Sequence, residues 1–292
     1  MYQLYQNKYS NYLNLNLIKV RYTKKKTIVN QDFAIKLSDN YDDKANDLIT
    51  FKLHLFLSAL ACQNSLKERI IIIDTNNLKS ALKIGKKRYI EEALNYLKAI
   101  TFRYNYFISK SEKTNKWKTE IRECKIIDDY NSSKGYIKIK LNEDYIKLLG
   151  YKIKTCKEKQ YVELPKELFT LDIKNYRHSV FLGYYILLNQ KRNYSNARKN
   201  IVSVKELVIY CPLLKSYDNL GKEKQITRTI IEPFKNNMNY LANQFNFKWQ
   251  FSNEVNTYLS FLNNKIIFDF KNWGYEYWYW GCECRWNFHK HL

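Results

Sequence analysis

Along the 292-residue chain, stretches in which apolar residues return every three or four positions alternate with short stretches in which they return every second position. That is the pattern of a mixed α+β protein. From Asn46 to Cys62, "NDLITFKLHLFLSALAC" is apolar nearly all round and predicts a buried helix. "RIIIID" follows as a short strand, then "TNNLKSALKI" as a helix capped by Thr75, with Leu78, Ala81 and Leu82 on one face and Gly85 at its end. A third helix, "GKKRYIEEALNYLKAI", turns Ile90, Ala93, Leu94 and Leu97 inward, while Lys86, Lys87 and Arg88 crowd its first turn. Two strand-like segments, "TFRYNYF" and "EIRECKIIDDY", joined by the charged loop "ISKSEKTNKWKT", close this half. Helix, strand, helix, turn, helix and hairpin, in that order, describe a helix-turn-helix with a β wing, the winged-helix plan.

The second half repeats the order. A helix around Tyr176 to Asn189, "YRHSVFLGYYILLN", is followed by "NIVSVKELVIYCPLL", by "EKQITRTIIEPFKNNMNYLANQF" and by a hairpin. Three local matches run in the same order through both halves: "IIIDTNNLKSAL" with "NIVSVKELVIYC", "NYLKAITFRYNYF" with "NYLANQFNFKWQF", and "KIIDDY" with "KIIFDF". The expectation is two tandem winged-helix domains, each a three-helix core plus a β hairpin, over residues 28–150 and 158–272 and meeting between about Leu148 and Tyr161. A basic N-terminal arm over residues 1–27 precedes them and an aromatic C-terminal tail over residues 273–292 follows. The arm carries "KVRYTKKK", with no acid, which suits a segment lying along phosphates or a solvated leader.

In the second half's third helix, Ile226, Ile230, Ile231, Phe234, Met238 and Leu241 share one stripe. The N-terminal residues of this helix enter the major groove in helix-turn-helix proteins. Lys222, Lys224, Gln225, Thr227 and Arg228 would then face DNA, with Lys235 nearer the middle. Arg suits guanine, Gln suits adenine, and Lys meets phosphate as a point charge. The same pattern in an isolated helix reads as a solvated charged face. Pro233 either kinks the helix or begins it. Lys86, Lys87 and Arg88, with Lys110, Lys113, Lys116 and Lys118 around the first hairpin loop, complete the candidate DNA surface.

Charge agrees with this reading. Fifty Lys and Arg face 28 Asp and Glu, a formal net charge of +22, which favours a polyanionic partner through counterion release. An AT-rich coding sequence supplies part of the lysine but does not account for so few acids. No apolar run is long enough to span a bilayer and the N-terminus has no apolar signal core, so no membrane partner is expected and the cytoplasm is the expected location. The six cysteines fit no secreted disulfide framework. Cys282, Cys284, His289 and His291 in "GCECRWNFHKHL" offer four soft ligands, but their spacing and terminal place favour an aromatic tail over a zinc site. There is no Gly-x-x-x-x-Gly-Lys loop, the only His-x-His lies at the extreme end, and the carboxylate pairs Asp128–Asp129 and Glu91–Glu92 read as surface residues. Neither catalysis nor a cofactor or metal is expected.

Four segments, "LPKELFTLD", "FLGYYILLNQKRN", "SVKELVIYCPLL" and "TRTIIEPFKNNMNYL", resemble the second half of the tandem winged-helix replication initiation proteins of theta-replicating bacterial plasmids, the iteron-binding Rep family, over roughly Tyr161 to Leu241. The first half matches in element order. The resemblance implies an initiator that binds double-stranded DNA at origin repeats, helps open an adjacent AT-rich segment, recruits host replication proteins, and exchanges between dimer and monomer. A plasmid or phage transcriptional regulator would share every one of these features. A rolling-circle nicking initiator is the rival from another class and would need metal and a nucleophilic tyrosine.

Overall fold

Lys52, in the middle of the most apolar helix, is fully buried, and the way its charge is satisfied shows how the chain divides. The computed structural model describes residues 2–5, 8–30, 33–42, 44–63, 69–110, 117–150, 161–194, 201–210 and 227–270. The chain forms two compact units: unit 1 is Met1–Gly150 with Glu163–Asp172, and unit 2 is Tyr151–Val162 with Ile173–Leu292. Both mix helix and strand, as the two hydrophobic periods predict.

Unit 1 runs β1 (Tyr2–Tyr5), α1 (Lys8–Asn16), a 3-10 turn (Lys19–Tyr22), β2 (Thr27–Asn30), β3 (Phe33–Leu37), α2 (Asp47–Gln63), β4 (Ile70–Asp74), α3 (Thr75–Leu82), α4 (Lys87–Ala99), β5 (Ile100–Lys110), β6 (Trp117–Lys125), β7 (Ile127–Ser133), β8 (Tyr136–Leu141) and α5 (Glu143–Leu149). After β9 (Tyr161–Leu164), α6 (Lys166–Thr170) completes it. α2 is buried along nearly its whole length, because it is apolar on every side. The unit also holds two antiparallel sheets, in the orders β2-β3-β5-β6 and β4-β8-β7. In β8 the buried residues Ile137, Ile139 and Leu141 alternate with exposed Tyr136, Lys138 and Lys140, so one face of its sheet packs inward.

Unit 2 contains α7 (Ser179–Tyr194), β10 (Ile201–Ser203), α8 (Val204–Tyr210), α9 (Glu232–Phe245), β11 (Lys248–Phe251), α10 (Tyr258–Leu262) and β12 (Lys265–Asp269). Its sheet order is β10-β12-β11. Strand register links the two units. Ile73 pairs Ile137, which pairs Ser132, while Val202 pairs Ile266, which pairs Phe251. β8 is therefore the counterpart of β12, and β7 that of β11.

This register corrects the sequence reading of the hairpin. "KIIFDF" forms the central strand of its sheet, whereas "KIIDDY" ends β6 and leads into the edge strand β7. "TFRYNYF" lies in β5, which pairs β3 and β6 in the other sheet. The hairpin joined to β4 is thus β7–β8, turned by Lys134 (φ 48°) and Gly135 (φ 82°), a two-residue turn with both central residues left-handed. Alternating apolar residues mark both hairpins alike, so periodicity could not say which one pairs with β4. The start of α3 also differs: Asp74, not Thr75, is the cap, its carboxylate accepting from the Asn76 and Asn77 amides.

Two segments expected outside the first domain are built into unit 1. Residues 1–27 bury Leu4, Leu13, Leu17, Ile18 and Val20. His54 Nε2 lies 2.7 Å from Asn14 Oδ1 of α1, and burial pushes this imidazole down to about 3. Arg21 and Tyr22 both reach Asp47 at the start of α2, leaving Lys24 and Lys25 exposed. The apolar spacing in "YLNLNLIKV" outweighs the basic run that suggested a free arm. Glu163–Asp172, placed by sequence in the second domain, packs Phe169 edge-on against Phe56 of α2 at 5.5 Å. Residues 273–292, with Cys282, Cys284, His289 and His291, lie outside the described residues.

Lys52 ties this returning segment down. Its Nζ donates to the carbonyls of Leu82, at the end of α3, and Leu171, just past α6, both at 3.1 Å. Burial, with nearby Lys83, pulls the ammonium from its ordinary 10.5 to about 8, and Asp172 opposes the shift. Between pH 8 and 10.5 the unfolded chain keeps this proton while the folded chain releases it, so unit 1 gains stability from this group as pH rises through that window. A neutral amine still has two N–H bonds for its two carbonyls. Urea unfolding at pH 8 and pH 10 should show a more favourable change for the wild type than for Lys52→Met. Equal pH responses would mean that Lys52 does not titrate in this window.

Candidate nucleic-acid interface

Helix α4 of unit 1, the third helix of the order read from the sequence, buries Ile90, Ala93, Leu94 and Leu97 and turns its first residues outward. Lys86, Lys87 and Arg88 are consecutive and exposed, and Lys83 in the preceding turn is exposed too. Lys83 takes the left-handed conformation (φ 52°) that ends α3, so the two helices join through a short basic turn. Lys87 pairs with Glu91 at 3.3 Å and Arg88 with Glu92 at 3.1 Å, each one turn along the same helix. Exposed pairs of this spacing are worth only about 0.3–0.5 kcal/mol. A charge-assisted bond to phosphate is worth about 1.5–3 kcal/mol. A phosphate placed there would outcompete Glu91 and Glu92, so these pairs do not close the surface.

The β7–β8 hairpin adds chemistry that the sequence reading did not assign. Asn131, Ser133, Lys134, Tyr136, Lys138 and Lys140 are all exposed on it. The Gly135 carbonyl accepts from the Thr75 amide at 2.7 Å, fixing the hairpin turn at the start of α3. The signal for this hairpin was the Lys134–Gly135 pair between two alternating runs, weaker than Asn-Gly or Asp-Gly but of the same kind. Lys118 lies on β6, in the other hairpin, and Lys113 and Lys116 lie outside the described residues.

In unit 2, Lys222, Lys224 and Gln225 fall outside the described residues. Thr227, Arg228 and Thr229 are consecutive and exposed, whereas Ile230, Ile231, Phe234, Met238, Leu241 and Phe245 are buried. Neither alternative for Pro233 holds in its simple form: Thr227–Ile231 is wound as a π-turn that runs directly into α9, Ile231 keeps helical dihedrals, and the change from π to α winding falls at Glu232, one residue before Pro233. Proline has no N–H and its ring crowds the carbonyl one turn back, and a wider turn before it accommodates both. Lys235 is partly exposed and lies 3.4 Å from Glu232.

Third helix and hairpin are joined the same way in both units. In unit 1 the Tyr130 hydroxyl donates to Asn95 Oδ1 at 2.9 Å, and in unit 2 Trp249 Nε1 donates to Asn239 Oδ1 at 3.0 Å. Both asparagines begin an Asn-Tyr-Leu triplet, and register makes Tyr130 and Trp249 counterparts, paired with Ile139 and Phe268. Unit 1 has a second tie: Lys98 Nζ meets Asp129 at 2.7 Å and holds that carboxyl below its ordinary range. Among the described residues no group of three or more His, Cys, Asp or Glu could hold a metal, and no helix is long and apolar enough to cross a membrane.

The sequence matches no protein-family model and no curated protein. Among solved structures, the chain is similar to a crystal structure of domains 2 and 3 of RctB, with a TM-score of 0.46 and 6% identity, covering 81% of this chain and 86% of that one. A second structure of RctB domains 2–3 gives a TM-score of 0.43 and 9% identity over the same shares.

The position of Arg228 yields a stability test. Phe234 sits edge-on to Phe261 at 5.2 Å and to Trp249 at 6.4 Å, in the core beneath α9. Phe234→Ala should destabilise unit 2 by about 3–5 kcal/mol through the cavity it leaves. Arg228→Ala, at an exposed site, should stay within about 0.5 kcal/mol. Chemical denaturation followed by circular dichroism compares the two, and equal losses would place Arg228 in the core.

Proposed function

We propose that the chain is a sequence-specific duplex-DNA-binding protein built from two winged-helix units, and that it initiates plasmid replication at repeated origin sites. One observation carries the DNA reading. The same three-stranded sheet order and following helix recur in both units, and exposed basic residues stand at the entry to that helix in each: Lys86, Lys87 and Arg88 in one, and Arg228, between Thr227 and Thr229, in the other. The excess of 50 basic over 28 acidic residues supports a polyanionic partner. The replication role rests on the resemblance of the segments between Tyr161 and Leu241 to plasmid initiators.

In this reading each third helix enters a major groove by its first turn, and each hairpin flanks it on the backbone. Lys86, Lys87 and Arg88, with Lys134 and Lys138 of the β7–β8 hairpin, neutralise phosphates and release counterions. Arg228 spans guanine O6 and N7, which gives discrimination that phosphate contacts do not. The protein works by position and charge alone, with no covalent step, no cofactor and no membrane. Opening of adjacent AT-rich DNA, recruitment of host replication proteins and dimer–monomer exchange belong to the initiator reading as its later steps.

DNA titrations over a range of salt test it. Each phosphate contact steepens the log–log salt slope by about 0.9. Lys86→Ala/Lys87→Ala/Arg88→Ala should flatten the slope and weaken binding to all sequences alike, whereas Arg228→Ala should reduce discrimination between a cognate repeat and altered repeats by roughly 1–3 kcal/mol. An unchanged slope in the triple variant would remove α4 from the interface. Footprinting on the DNA that flanks the coding sequence should protect repeated sites about two helical turns apart. Protection of a single unrepeated site over a promoter would favour a transcriptional regulator.

A further inference from the structure

Asn95 and Asn239 are exposed residues of the third helices, yet each has its carbonyl oxygen committed to an aromatic of the hairpin. The Trp249 indole nitrogen can only donate, which fixes the orientation of the Asn239 amide: Oδ1 faces the hairpin and the NH2 group faces away. At Asn95 the matching partner is the Tyr130 hydroxyl, 2.9 Å from Oδ1, a group that can accept as well as donate, so the orientation is fixed by chemistry at Asn239 and matched by position at Asn95. Neither NH2 group meets an acceptor among the described residues.

An asparagine that reads adenine needs donor and acceptor free together, since it bonds N6 and N7 at once. With one lone pair of Oδ1 taken by the hairpin aromatic, the NH2 group is the part of each amide turned away from the hairpin and open to an acceptor. A donor held between a groove-entering helix and its flanking hairpin is placed where the DNA backbone crosses from one to the other. Exposed Lys125 and partly exposed Lys98 line the same open groove as Asn95, along with Asp42 and Glu92. We infer that Asn95 and Asn239 are matched phosphate-binding residues, one per unit, each aimed by its hairpin aromatic. They set how the helix and hairpin straddle the backbone and carry no base specificity. This rests on the DNA-binding reading and names two contacts within it.

The test uses the full chain and a fluorescently labelled duplex of mixed sequence. Asn95→Asp and Asn239→Asp keep an oxygen for Tyr130 or Trp249 but replace the donor with an anion. Each should weaken duplex binding roughly tenfold or more, by the same factor on every sequence, with thermal unfolding unchanged. Asn243→Asp, exposed one turn further along α9, adds the same charge without a hairpin partner and should change affinity less than about threefold. In a Trp249→Phe background the loss from Asn239→Asp should shrink, because the unlatched amide is no longer aimed. Binding of Asn239→Asp within twofold of the parent, or an equal loss in Asn243→Asp, would overturn the inference and leave the DNA reading standing. Failure of the parent chain to bind duplex at all would overturn both.

Discussion

Each unit is organised by the burial of one apolar stripe, that of α4 against α2 and β7 in unit 1 and that of α9 against α7 and β11 in unit 2. Ile90, Ala93, Leu94 and Leu97 do this in α4, and Phe234, Met238, Leu241 and Phe245 in α9. Burying one such side chain contributes about 1.5–3 kcal/mol, several times what any exposed ion pair on the same helix offers. The stripe therefore fixes the rotation of the helix, and the polar residues take what remains. Arg88 and Asn95 point outward because Leu94 and Leu97 point inward, and Arg228 and Asn239 follow in the same way from Phe234 and Leu241.

Around this shared device the units differ. Unit 1 has an added sheet, β2-β3-β5-β6, and draws in Glu163–Asp172 through a lysine buried in its central helix. Its hairpin is held to the third helix by a hydrogen bond and by the Lys98–Asp129 ion pair. Among the described residues of unit 2 the counterpart of Lys98 is Ala242, and the Trp249–Asn239 bond stands without that second tie. The third helix of unit 2 also begins with a π-turn, a form that often marks functional positions in helices.

Helices α2, α3, α4, α7 and α9 were legible in the sequence, because a period of 3.6 residues reports directly on a stripe, whereas α1, α5, α6 and α10 were not assigned. Strand partners were not. "TFRYNYF" and "YIKIKL" alternate equally well, and only the pairing of Ile73 with Ile137 shows that the second belongs with β4. The N-terminal segment was misjudged because its lysines were weighed as charge while the spacing of Leu13, Leu17 and Val20 was not weighed as burial. The candidate site was legible where it is a run, as at Lys86 to Arg88, and invisible where it depends on two distant residues meeting, as with Tyr130 and Asn95. An asparagine on a helix surface has no sequence signal that separates a latch from a solvated side chain.

The central proposal is that each unit meets duplex DNA through one helix, α4 or α9, and its hairpin. Amide hydrogen exchange of the full chain, with and without duplex DNA, addresses it directly. The account predicts slower exchange on binding at residues 83–89, 131–136 and 227–231, with little change in α2 or α7, whose amides are already protected. Slowing confined to other surfaces, or to one unit alone, would contradict it.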